Sequence, residues 1–186
     1  MLNKSKFLKH FILLIGLIII LFIIFYKPTK FTLTDEYIRN NTVTVNISKN
    51  KEYIENITYI GLHVLDIDSA TVNIFDMPNV IKRNNFLNGY TIKGLIINNF
   101  KNDYTIYIDF NEPFNNLLII LSHELIHLEQ YHSGRLEILF GGGIMRYNDK
   151  LYIVKDIKYN NRPWEIEAFD KEFNLSRDIK SILYQP

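Results

Sequence analysis

From Leu117 to Gln130 the chain reads Leu-Leu-Ile-Ile-Leu-Ser-His-Glu-Leu-Ile-His-Leu-Glu-Gln, an apolar run with two histidines and a glutamate at its centre. It is too long for an ordinary strand and contains neither Gly nor Pro. Pro113 and Asn115-Asn116 precede it and Gly134 follows, so the pattern predicts a helix over 117–130. Leu117 to Leu121 are apolar on nearly all sides of such a helix, which makes it a buried central element. Whatever fold this chain adopts is built around a helix that carries ionisable groups.

His123 and His127 stand four residues apart, roughly 40° around the axis and one turn up, so both imidazoles can reach one metal ion while Glu124 projects beside it. The chain has no cysteine, which excludes disulfides, thiolate catalysis and thiolate ligands; any metal must be held by His, Asp or Glu. A catalytic ion needs a third protein ligand and keeps its fourth position for water. The downstream-histidine arrangement HExxHxxGxxH fails, because its last two fixed positions are Gln130 and Ser133. His132 lies nine residues from His123, on the opposite side of the helix.

A second helix is expected after Asn160-Asn161, with Pro163 in its first turn and its end near Ile182. It offers Glu165 and Glu167, which point roughly 160° apart, so only one can face the metal. Glu165 has a purely structural explanation in the first turn, where a carboxylate meets the helix N-terminus. Glu167 is followed by Ala168, whose small side chain permits close approach to the histidine helix. This reasoning favours Glu167 over Glu165 as the third ligand; the plainer alternative makes both of them solvated helix carboxylates.

His123-Glu124-Leu125-Ile126-His127 together with Pro163-Trp164-Glu165-Ile166-Glu167-Ala168-Phe169 resembles the zincin-like metallopeptidases of the gluzincin type, over about Tyr104 to Asn174. The resemblance implies a twisted sheet over an active-site helix, zinc (Zn2+) held by His123, His127 and Glu167, and Glu124 as the catalytic general base of peptide hydrolysis. It also implies a peptide or protein substrate extended along the edge of the strand from Tyr104 to Phe110. The chain departs from the thermolysin-like pattern, in which an Asp four residues after the ligand glutamate supports a histidine: position 171 is Lys171 and the nearest acid is Asp170. Tyr159, Tyr147 and Arg146, between the metal-binding segments, are candidates for an oxyanion donor. A non-catalytic zincin-like binding or structural module is the competing reading.

Around this core the pattern is α+β. Strands are expected at Val43 to Ile47, Tyr59 to Leu65 and Thr71 to Phe75, a hairpin pairs Tyr90 to Asn98 with Tyr104 to Asp109, and a second small hairpin pairs Ile144 to Tyr147 with Lys150 to Val154. Gly141-Gly142-Gly143 lacks the Lys and Ser/Thr of a phosphate loop and reads as a flexible connection near the cleft. His63 and Trp164 read as packing residues.

Two regions divide the 186 residues: a membrane segment at 1–30 and one domain at 31–186. Phe11 to Tyr26 has no charged side chain and spans roughly 24 Å as a helix, which flanking Lys9 and Lys27 extend towards the hydrocarbon thickness. Phe25-Tyr26-Lys27-Pro28 offers no small-residue cleavage site, so an uncleaved signal anchor is expected, with the domain outside the cytoplasm. A formal charge of +1 without basic blocks gives no case for binding nucleic acid.

Overall fold

Alternation in Thr42–Asn46 (β1) buries Val43 and Val45 and exposes the residues between them. β1 pairs in parallel with Thr71–Asp76 (β2), as a computed structural model of the chain shows. Its described residues are Ile15, 31–47, 50–78 and 93–184, and the expected membrane segment lies outside them except for Ile15. Among the described residues no helix is long and apolar enough to cross a membrane. Leu33–Gln185 forms one compact unit.

Parallel neighbours need a crossover, and here it is a helix. After the short α1 (Asp35–Ile38) and β1, α2 (Lys51–Val64) carries the chain to β2. The run from Tyr59 to Leu65, expected as a strand, is the second half of this helix. Ile54, Ile57, Thr58 and Gly61 are buried at spacings of three and four, which is a helical face, and that packing overrides the β-branched composition of a short run.

The first expected hairpin forms as β3 (Gly94–Phe100) against β4 (Asp103–Ile108), with Lys101 and Asn102 at φ 41° and 64° as a two-residue turn requires. The part of that hairpin expected before Lys93 lies outside the described residues. β2 pairs in parallel with β4, so among the described residues the sheet order is β1-β2-β4-β3 and its outer strand on the hairpin side is β3. β4 therefore has both neighbours, and the substrate edge expected along Tyr104 to Phe110 does not exist there: the hairpin partner covers it.

α3 (Phe114–His132) is the expected central helix, longer than its apolar run by three residues before and two after. A three-stranded sheet follows, β5 (Leu136–Leu139), β6 (Ile144–Tyr147) and β7 (Lys150–Ile153), and then α4 (Pro163–Leu183) with Pro163 in its first turn. Trp164 packs with Leu136, Met145 and Tyr147, fixing the start of α4 to the small sheet. A side chain at Gly61 would meet Leu125 Cδ1 at 2.5 Å and Ile179 Cδ1 at 3.3 Å, so only glycine lets α2 approach α3 and α4 this closely. Among the described residues the architecture is α+β, with a four-stranded mixed sheet, a three-stranded sheet and four α-helices.

Candidate metal centre

α3 and α4 pack against each other and bury His123, His127 and Glu165 together. His127 Nε2 lies 3.1 Å from His123 Nε2, and Glu165 Oε2 stands 3.4 Å and 3.3 Å from those two nitrogens. That oxygen is buried and makes no hydrogen bond. A tetrahedral ion with ligand bonds of about 2.0–2.1 Å separates its ligand atoms by about 3.3 Å, which these three atoms match. The three residues lie close enough to hold a metal ion.

Glu167, expected as the third ligand, is not among them. Its Oε2 accepts hydrogen bonds from Arg135 Nη1 at 2.8 Å, from Gln130 Nε2 at 3.1 Å and from Tyr147 Oη, and its Oε1 accepts from Lys171. The buried face of α4 runs through Glu165, Ala168 and Glu172, at spacings of three and four, and the i, i+2 offset turns Glu167 off that face. Ala168 does sit on the packed face, as its size suggested, but the acid that shares that face is Glu165.

Each histidine is held from behind, as ligand imidazoles require. His123 Nδ1 bonds Glu172 Oε2 at 2.8 Å, and His127 Nδ1 bonds Gln130 Oε1 at 2.8 Å. Gln130 Nε2 donates to Trp164 O at 3.0 Å and to Glu167 Oε2, which uses both amide hydrogens and leaves Oε1 to accept from His127. The His127 Nδ1 therefore carries the proton and its Nε2 presents a lone pair to the centre. Sequence reasoning missed both supports. Glu172 was legible as the residue two turns after Glu165, and Gln130 as the residue three after His127.

Burial pushes both imidazoles towards the neutral form, but Glu165 and, at His123, Glu172 outweigh it and raise their pKa values. Burial alone would raise Glu165, yet the two histidines hold it well below the usual carboxylate range. Glu124, buried beside them, is raised by desolvation to about 7. β3 passes directly over it: a side chain at Gly94 would meet Glu124 Oε1 at 2.3 Å.

Cavities of about 360 Å³ and about 390 Å³ flank the centre, and Gly94, Glu124 and Tyr159 line both. The first lies on the His123 side, against Ile119, Ile120 and Phe169; the second lies on the His127 side, against Tyr131, Met145 and Trp164. Of the three oxyanion candidates, Tyr147 bonds Glu167 and Arg146 pairs with Glu137, both away from the centre, while Tyr159 bonds Glu165. His132 bonds Tyr104 Oη at 3.3 Å, and His63 packs edge-on against Tyr37. Comparison with protein-family models, with curated proteins and with solved structures found no match for this chain.

Proposed function

We propose that this chain is a membrane-anchored zinc-dependent metallopeptidase, with His123, His127 and Glu165 as ligands and Glu124 as general base. The observation that carries the reading is the convergence of three buried ligand atoms at tetrahedral spacing beside a fourth buried carboxylate. Two imidazoles and one carboxylate with room for a further ligand are the donor set of catalytic zinc. Zinc supplies Lewis acidity there, acidifying water and polarising a peptide carbonyl.

The residues of the chain do the rest. Glu124, buried beside the centre, accepts the proton of the attacking water at its carboxylate and delivers it to the departing amine. Tyr159 lines both cavities, and its hydroxyl turns its one O–H from Glu165 to the carbonyl oxygen as charge develops there. The outer edge of β3, beginning at Gly94 above Glu124, offers main-chain groups to an extended peptide, which crosses the centre from one cavity to the other. The anchor is the apolar run Phe11 to Tyr26, which places the domain at the membrane surface outside the cytoplasm.

The test is Glu124→Gln in the full chain. Zinc content stays at one per chain while hydrolysis of a peptide library falls by at least about a thousandfold, well above the loss expected for a bystander. No turnover in the zinc-loaded wild type would favour the non-catalytic module instead, and turnover that survives Glu124→Gln unchanged would remove Glu124 as the general base.

A further inference from the structure

Arg162 immediately precedes α4 and lines the cavity on the His127 side. The other cations near the centre are paired: Arg135 with Glu129 and Glu167, Lys93 with Glu112, Lys171 with Glu167. Arg162 Nε is buried and makes no hydrogen bond, and no carboxylate among the described residues forms an ion pair with its guanidinium. The guanidinium carbon lies 5.4 Å from the centroid of the Tyr159 ring, which holds it in place. Arg162 as a whole is half-buried, but a buried donor nitrogen without a partner is costly and calls for an explanation by a ligand.

We infer that Arg162 binds a carboxylate of the substrate, making the cavity on the His127 side selective for peptides that present that anion there; this rests on the peptidase reading. Leu136, Ile138, Met145, Val154 and Trp164 supply apolar walls, so the half-buried guanidinium stands beside apolar surface, where its attraction for an anion exceeds that in open water. Its planar fork matches a carboxylate through two parallel hydrogen bonds. Leu95 and Ile96 of β3 line the same cavity, so a peptide extended along that edge passes in front of Arg162. The carboxylate comes either from a peptide C-terminus or from an Asp or Glu side chain.

The experiment uses the zinc-loaded full chain carrying Glu124→Gln, with labelled apolar peptides followed by fluorescence anisotropy. One pair differs by a free or amidated C-terminus, the other by an internal Glu or Gln. At least one carboxylate form binds about tenfold tighter than its neutral counterpart, and the pair that shows the difference identifies the source. Adding Arg162→Gln brings that ratio to about one with zinc content unchanged. Equal binding within both pairs, or a preference that survives Arg162→Gln, overturns the inference and leaves the peptidase reading standing; binding of no peptide overturns both. Should Arg162→Gln fail to fold, the peptide pairs alone decide.

Discussion

Glu172 Oε2 stands 2.8 Å from His123 Nδ1, and Glu172 follows Glu165 by two turns on the same face of α4. One helix face thus provides both the acid that lies against the two imidazoles and the group that orients one of them. Glu172→Ala leaves the three ligands in place but frees the His123 ring, and metal affinity falls about ten- to a hundredfold. Competition with a chromophoric chelator reads this directly; an unchanged affinity would mean that packing alone orients His123.

Gln130 makes the matching case for His127 with a neutral amide. Gln130→Ala removes the acceptor on Nδ1 and also the amide that donates to Trp164 O and Glu167 Oε2. Metal affinity falls by a comparable factor. Glu167→Gln keeps an acceptor for the Gln130 amide and retains most of the affinity. Equal losses in the two variants would show that the effect runs through folding rather than through the ring.

How much of this centre could be read from the chain depends on which period governs each residue. The histidine pair and Glu124 were legible because their spacing is a helical period within one apolar run. The third acid is narrowed to two by the sequence, and a preference for Glu167 that rests on Ala168 does not ask which acid shares its face; the acid that lies against the histidines is Glu165. Ala168 lies three residues from Glu165 and only one from Glu167, and a helix face follows the former spacing. Tyr59 to Leu65 failed for a related reason: a short apolar run fits strand and helix alike until its neighbours Ile54 and Ile57 are counted. The order of the sheet, with β4 inside and β3 outside, is set by long-range pairing that no local pattern encodes.

Gly94 lies against Glu124 with no space for a side chain. Gly94→Ala pushes the Glu124 carboxylate from its position, and turnover falls about a hundredfold, as for an angstrom-scale misplacement. Metal content is unaffected, because the three atoms nearest to that position all belong to Glu124. Turnover within a factor of two of wild type would contradict the close approach of β3.

Metal binding is coupled to protons in a definite direction. Without an ion, Glu165 and Glu172 raise the His123 pKa, so at pH 7 the ring is protonated; the bound state requires it neutral. Binding therefore releases at least one proton, and affinity rises with pH by about a factor of ten per unit per proton released through the neutral range. Calorimetry in buffers of different ionisation enthalpy measures the number. Proton uptake, or none, would contradict the electrostatic description.

Glu167 gives a separate pH signature. Burial would raise its carboxyl, but Arg135, Lys171 and Tyr147 hold it at about 2, below the ordinary 4.5. The resulting stabilisation is fully present above about pH 4.5 and is lost as pH falls through about 2. Glu167→Gln costs about 1–2 kcal/mol at pH 7, a figure reduced for solvent screening, and almost nothing near pH 2. Denaturant melts of metal-free wild type and variant across this range check it; a pH-independent difference would assign the effect to packing.

Metal stoichiometry of the full chain, measured by equilibrium dialysis and elemental analysis on wild type, Glu165→Ala and Glu167→Ala, bears most directly on the centre. One zinc per chain in the wild type, retained by Glu167→Ala and lost from Glu165→Ala while the latter remains folded by circular dichroism, is the expected result. Zinc retained by folded Glu165→Ala, or no zinc in the wild type, would contradict a centre built from His123, His127 and Glu165.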